Sequence, residues 1–161
     1  MIEAGQAIPA TPVKLVTKDG TTDTTADVVL GTGLTVFFTV PGAFTPTCQV
    51  NHLPGFLANA GKLATAGVTL IVCGSTNDHH VLKVWAENTG ALGTIDFLAD
   101  PHGTLAKAMG LDRDMDIGLR FRRSALLIRE GVVDAVFVED APGVTATGAP
   151  AILMTLQAHA K

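Results

Sequence analysis

The chain has 161 residues, a usual size for one domain, and its 47% hydrophobic and 16% charged side chains supply a packed core and make no case for disorder. Eleven Lys and Arg against fifteen Asp and Glu give a formal net charge of −4, which argues against a nucleic-acid partner with its phosphate backbone. No stretch approaches the roughly 20 apolar residues of a membrane helix, and "MIEAGQAIPATPVK" has no basic segment followed by an apolar one, so no membrane partner and a cytoplasmic location are expected.

In chain order, "VKLVTKDGTT" reads as a strand meeting a hairpin turn at Asp19-Gly20. "TADVVL" reads as a second short strand. After a Gly-rich turn, Leu34–Val40 is apolar on both faces except for threonines, the pattern of a strand buried in the middle of a sheet. From Pro46 to about Ala66, apolar residues recur at the helical period: Val50, Leu53, Phe56, Leu57, Ala60, Leu63 and Ala64. Pro54 and Gly55 should kink that helix. "GVTLIVCGS" is a second buried strand. "NDHHVLKVWAENTG" is a helix capped by Asn77 or Asp78 and ended by Gly90. A short strand "IDFLADP", a short helix "HGTLAKAMG", a hairpin turning at Glu130-Gly131 and a closing helix "GAPAILMTLQAHAK" follow. Strands alternating with helices imply an α/β fold, with a central mixed sheet flanked by helices and an N-terminal hairpin. No repeat or linker divides the chain, so residues 1–161 are read as a single domain.

Only two cysteines are present, Cys48 and Cys73, and no CxxC, so neither a dithiol motif nor a thiolate zinc site is indicated. Cys73 lies inside an apolar strand, where a cysteine is ordinarily a small buried hydrophobe. Cys48 follows Pro46, which suits a first helical turn, and Thr45, which sits at or near the N-cap. First-turn amides lack internal partners and favour an anion. A thiol there should titrate below its model value of about 8.5, which makes Cys48 a candidate nucleophile. His52 lies one helical turn further on. It reads either as a catalytic partner or as a histidine satisfying a buried polar contact. The basic cluster "RFRR", Arg120–Arg123, reads as a solvated strand end or a functional group.

"PGAFTPTC" followed by "NHLPGF" resembles the active-site segment of the peroxiredoxins, Pro-x-x-x-Thr-x-x-Cys, in the form of the peroxiredoxin-five subfamily. "GVTLIVCGSTND", "VWAENTG", "FLADPHG", "RSALLIREGVV" and "VEDAPGVTATGAP" stand in the order of similar segments of that subfamily, so the resemblance covers nearly the whole chain. It implies a thioredoxin-like fold, no cofactor or metal, a homodimer, and a thiol-dependent peroxidase acting on hydrogen peroxide and alkyl hydroperoxides. It makes Cys48 the nucleophile, with Thr45 and Arg123 as its catalytic partners. Pro41, Thr47, Cys48 and His52 become the peroxide-binding residues. Arg122 alternates to the other face of the strand and is expected in solvent. Many relatives carry a second, resolving cysteine before the last helix, where this chain has Ala146. The one-cysteine form is therefore expected, recycled by an external thiol such as glutathione, glutaredoxin or thioredoxin, with Cys73 the only internal alternative.

Two rival readings stay open. A thioredoxin-fold chaperone or regulator would tolerate the loss of Thr45 or Arg123, and both are present. A Cys-His hydrolase built on Cys48 and His52 would need a third, orienting group.

Overall fold

The computed structural model describes residues 1–159. "VKLVT" and "TTDTT" alternate poorly in hydrophobicity but flank Asp19-Gly20, and they form the hairpin of β1 (Pro12–Thr17) and β2 (Gly20–Thr25). Gly20 takes φ 125°, which a side chain would resist. "TADVV", expected as a strand, is instead one turn of helix, α1 (Ala26–Val29). The hairpin already spends its pairing residues up to Thr25, and the next residue, Ala26, turns into the core.

β3 (Leu34–Thr39) is buried at every position, as its two-faced apolar pattern predicts. Val36 and Phe38 face one apolar cluster and Phe37 the other, following the two-residue period of a strand. After β3 the chain crosses a loop and enters a π-helical turn (Cys48–His52), then α2 (Leu53–Ala58) and α3 (Ala60–Thr65). The expected kink at Pro54-Gly55 falls elsewhere. Pro54 sits in the first turn of α2, and the break comes at Asn59, whose side chain donates to the Gly55 carbonyl at 2.8 Å. A proline ring crowds the carbonyl four residues back, and the widened turn before it, where the Leu53 amide reaches the Cys48 carbonyl, absorbs that crowding.

The rest follows as β4 (Leu70–Ser75), α4 (His79–Thr89), β5 (Asp96–Ala99), α5 (Thr104–Met109), β6 (Asp112–Met115), β7 (Gly118–Phe121), β8 (Ser124–Arg129), β9 (Val132–Val138) and α6 (Ala149–His159). Asp78 caps α4 by accepting from the Val81 amide at 2.9 Å, and Gly90 ends it in the left-handed region. The sheet runs β2-β1-β5-β4-β3-β8-β9 and is mixed: β3, β4 and β5 are parallel, while β1, β8 and β9 run antiparallel to their neighbours. β6 and β7 form a separate two-stranded ribbon that the sequence reading did not anticipate. Both faces of the sheet are covered. Helices α2, α4 and α6 contribute Phe56, Trp85 and Ile152 to one cluster, and α1 and α5 contribute Ala26 and Leu105 to the other. Fully burying each such Phe or Ile is worth about 1.5–3 kcal/mol.

This topology fixes where the chemistry can sit. The loop carrying Pro41 to Thr47 leaves the carboxyl end of β3. The segment Thr76–Asp78 leaves the same end of the parallel β4. Because β8 is antiparallel to β3, with Thr39 opposite Ser124, the residue before Ser124 arrives at that end too. That residue is Arg123. In open parallel sheets, ligands bind outside the carboxyl ends of the strands.

Candidate active site

The loop after β3 is held at several points. The Thr39 hydroxyl donates to the Arg122 carbonyl at 2.7 Å and receives a short hydrogen bond from the Ser124 hydroxyl, pinning β3 to the start of β8. Asn77 accepts from the Ala43 amide at 2.8 Å and from the Ser75 hydroxyl at 2.7 Å. Arg120 donates to the Pro41 carbonyl at 3.3 Å and the Ile117 carbonyl at 3.0 Å. The Thr45 hydroxyl donates to the Gly42 carbonyl at 2.7 Å. Between these anchors Phe44 is forced to φ 63°, uncommon for a bulky residue, and strain of this kind collects where a loop is shaped for function. From sequence, Asn77 reads as a helix cap and Arg120 as a solvated cation; their part as loop anchors carries no local signal, because the Pro41 and Ala43 partners are distant in the chain.

Pro46 and Thr47 have helical backbone, so Cys48 stands in the first turn, where amides lack internal partners. Its side chain is 0% exposed. The Arg123 guanidinium lies against it, with Nη2 donating to Sγ at 3.0 Å. Arg123 Nη1 donates to His52 Nδ1 at 2.9 Å, and His52 Nε2 donates to the Thr147 carbonyl at 2.9 Å. Arginine can only donate and a carbonyl can only accept, so His52 is the neutral Nε2–H tautomer. Burial pushes the His52 pKa down to about 4, with the charge of Arg123 acting in the same direction against the opposing Thr147 carbonyl and Glu139. The ring is wedged by Phe38 and Phe56, at centroid distances of 5.0 and 5.6 Å.

The structure therefore gives His52 a different part from the peroxide contact expected of it. It is 1% exposed and both ring nitrogens are engaged, so it has no nitrogen for a substrate. The same engagement removes it as a general base for Cys48, which counts against the Cys-His hydrolase. Pro41, Thr47 and Arg123 line a cleft of about 760 Å³, and Cys48, held by Arg123, is buried and does not line it. Arg122 is exposed and lines the outer part of the same cleft. Trp85 is fully buried against Phe97, at 5.8 Å, while Phe44 is 45% exposed.

Cys73 sits in the middle of β4, also 0% exposed. Burial, and then the nearness of Cys48, pushes its thiol well above the ordinary range. Ala146 is exposed, in the segment before α6. Among the described residues no group of three or more His, Cys, Asp or Glu is placed to hold a metal, and no helix is long and apolar enough to cross a membrane.

A cysteine at a helix entry, touched by an arginine from the neighbouring strand of a thioredoxin-like sheet, defines a class of thiol proteins, and the comparisons with known proteins agree. The Redoxin family model matches residues 3–153. Peroxiredoxin-2E-2 of the chloroplast of Oryza sativa subsp. japonica is 43% identical over 128 residues, 75% of this chain and 56% of that protein. Peroxiredoxin-2C of the same plant is 43% identical over 124 residues, covering 75% and 76%. The match thus spans about half the length of the chloroplast relative. A crystal structure of reduced Prx3 from Vibrio vulnificus in complex with H2O2 superimposes with TM-score 0.91 at 38% identity over 97% of this chain and 99% of that one. Peroxiredoxin 5 from Alvinella pompejana gives TM-score 0.84 at 28% identity, covering 98% and 99%. The chain belongs to the redoxin family, as a peroxiredoxin.

Proposed function

We propose that this protein is a thiol peroxidase that reduces hydrogen peroxide and alkyl hydroperoxides through Cys48. The observation that carries the reading is the 3.0 Å contact from Arg123 Nη2 to Cys48 Sγ at the entry of a helix. A guanidinium does not deprotonate at neutral pH, so it and the unpaired first-turn amides favour a sulfur anion over a neutral thiol.

The thiolate attacks one peroxide oxygen in line. An S–O bond forms, the O–O bond breaks, and the other oxygen leaves as hydroxide or alkoxide and takes a proton from water. Cys48 is oxidised by two electrons to sulfenic acid. The amides of Thr47 and Cys48 and the guanidinium of Arg123 are the donors to the bound and departing oxygens, while the Thr45 hydroxyl, whose proton goes to the Gly42 carbonyl, offers its oxygen as an acceptor for the peroxide O–H. Pro41 walls the sulfur from water.

The cycle closes through an external thiol. A first thiol condenses with the sulfenic acid to a mixed disulfide and water; a second displaces it, releasing Cys48 and a disulfide of the reductant. Glutathione, glutaredoxin and thioredoxin are the candidate reductants. Two facts support this one-cysteine course. Ala146 stands where a resolving thiol would be expected, and Cys73 is buried in a strand with its thiol pushed up, a poor partner for exchange. A homodimer belongs to the proposal through the family likeness, with the exposed Phe44 as apolar surface beside the site.

The test follows peroxide loss in the presence of each thiol, with Cys48→Ser as control. Mass spectrometry after one equivalent of peroxide should find a dimedone-trapped sulfenic acid on Cys48. A Cys48–Cys73 crosslink would overturn the external route.

A further inference from the structure

We infer that Glu139 is a positioning residue for the arginine that charges the nucleophile, acting through a closed circuit of hydrogen bonds from the far side of His52. The inference rests on the peroxidase reading of Cys48 and extends it to a residue outside the motif.

Glu139 follows β9 and does not touch the sulfur. Its carboxylate collects five donors from one short loop: the amide and hydroxyl of Thr145, the Ala146 amide, and the amide and hydroxyl of Thr147. Its own amide donates to the Arg123 carbonyl at 3.1 Å. The loop so gathered presents the Thr147 carbonyl to His52 Nε2, and His52 Nδ1 receives Arg123 Nη1. The circuit therefore runs from Arg123 main chain to Glu139, to Thr147, to His52, and back to the Arg123 side chain, whose other nitrogen holds Cys48.

Each link needs the one before it. A guanidinium donating to a histidine requires the neutral ring with its proton on Nε2, and that proton needs an acceptor at a fixed place. The Thr147 carbonyl is that acceptor, and its position depends on donors converging on one carboxylate. A neutral or shorter side chain at 139 cannot accept all five. Partial burial works against the carboxylate, but the bonds from Thr145 and Thr147 outweigh it and hold the Glu139 pKa down to about 2, so the clamp stays charged across the neutral range.

The readout is the pH dependence of Cys48 alkylation by iodoacetamide, mapped by peptide mass spectrometry, beside the rate of reaction with hydrogen peroxide. Glu139→Gln is expected to move the alkylation midpoint upward and to slow the peroxide reaction by up to about 10²-fold, the scale of a mispositioned catalytic group. Thr147→Val removes one donor and leaves the carbonyl that serves His52, so it should shift the same way by less, with Thr147→Ser close to wild type; this pair decides the matter if Glu139→Gln folds poorly. In an Arg123→Lys background, Glu139→Gln should add no further shift, because both changes break one circuit. The inference is overturned if Glu139→Gln and Thr147→Val keep the wild-type profile, or if the Glu139→Gln shift is fully additive with Arg123→Lys. A depressed wild-type midpoint that ignores Glu139 sinks this inference alone. A wild-type midpoint like that of a cysteine in a free peptide sinks the peroxidase reading, and this one with it.

Discussion

Cys48 and Cys73 are equally buried and belong to the same apolar cluster, with Cys73 paired across the sheet to Phe38, whose ring packs against His52. What separates them is the polar group at hand. Cys48 lies in a first helical turn with a guanidinium against its sulfur. Cys73 lies in a strand whose backbone groups are committed to ladders on both sides, with apolar neighbours. Burial alone would make both inert. On the proposed reading, one arginine and one helix entry are what make the first the nucleophile, and the second lacks both contacts.

The strongest way to break that comparison is to remove each sulfur. Cys48→Ser should abolish peroxide turnover, a loss of about 10³-fold or more, the scale on which removal of a nucleophile acts. Turnover surviving Cys48→Ser would shift the chemistry to Cys73. Arg123→Ala takes away the feature that distinguishes the two cysteines while leaving Cys48 at its helix entry. The peroxide reaction should fall about 10²–10³-fold, as for a lost oxyanion-type donor, and Cys48 should become reactive toward alkylating agents only at higher pH. An unchanged rate would mean that the helix entry alone suffices.

The site should also be visible in the pH dependence of folding. The unfolded chain takes up a proton on His52 near 6.5, while the folded protein resists protonation down to about 4. Its folded pKa is lowered, so stability is fully present above pH 6.5 and falls as pH drops toward 4, by about 3 kcal/mol for that interval. Glu139, also lowered, acts in a separate window: its contribution is present above 4.5 and fades as pH falls toward about 2. Urea midpoints between pH 7 and pH 3 test this, and a flat profile from 6.5 to 4 would mean that His52 is not held buried as a neutral ring beside Arg123.

Thr45 comes next. Its hydroxyl donates to the Gly42 carbonyl and so shapes the loop just before the helical backbone begins. Thr45→Val should lower the peroxide rate about tenfold, the equivalent of one hydrogen bond of about 1.4 kcal/mol, with Thr45→Ser recovering most of it. A loss in the Ser variant with Val close to wild type would point to the methyl group, not the hydroxyl.

The sequence showed most where its signals are local. The buried strand at Leu34, the turn at Glu130-Gly131 and the Gly90 stop are written in periodicity and in residues that tolerate positive φ, and the structure has them. Cys48, Thr45 and Pro41 lie within one short motif. Less legible were features whose partners are remote. β6 and β7 form a mostly exposed ribbon whose "DRDM" and "GLRF" present no apolar face to read. The break at Asn59 depends on a side-chain bond to Gly55, and the π-helical turn on the demands of Pro54. The Glu139 circuit joins residues that only the β8–β9 hairpin and the start of α6 bring together.

Cys73→Ala gives the smallest expected effect and is the sharpest control on the comparison. The change removes one buried sulfur from a strand beside Cys48 without adding a polar group. A small cavity there should cost about 1 kcal/mol of stability, readable as a lower urea midpoint. Because none of the hydrogen bonds that join Cys48, His52 and Arg123 runs through Cys73, the peroxide rate should stay within about twofold of wild type, the residual change coming through the shared apolar cluster. The dimedone adduct on Cys48 should form in the same yield. A variant that reacts once and then stalls with external thiol present would show that the strand opens to let Cys73 resolve the sulfenic acid, and the two cysteines would then be partners and not opposites.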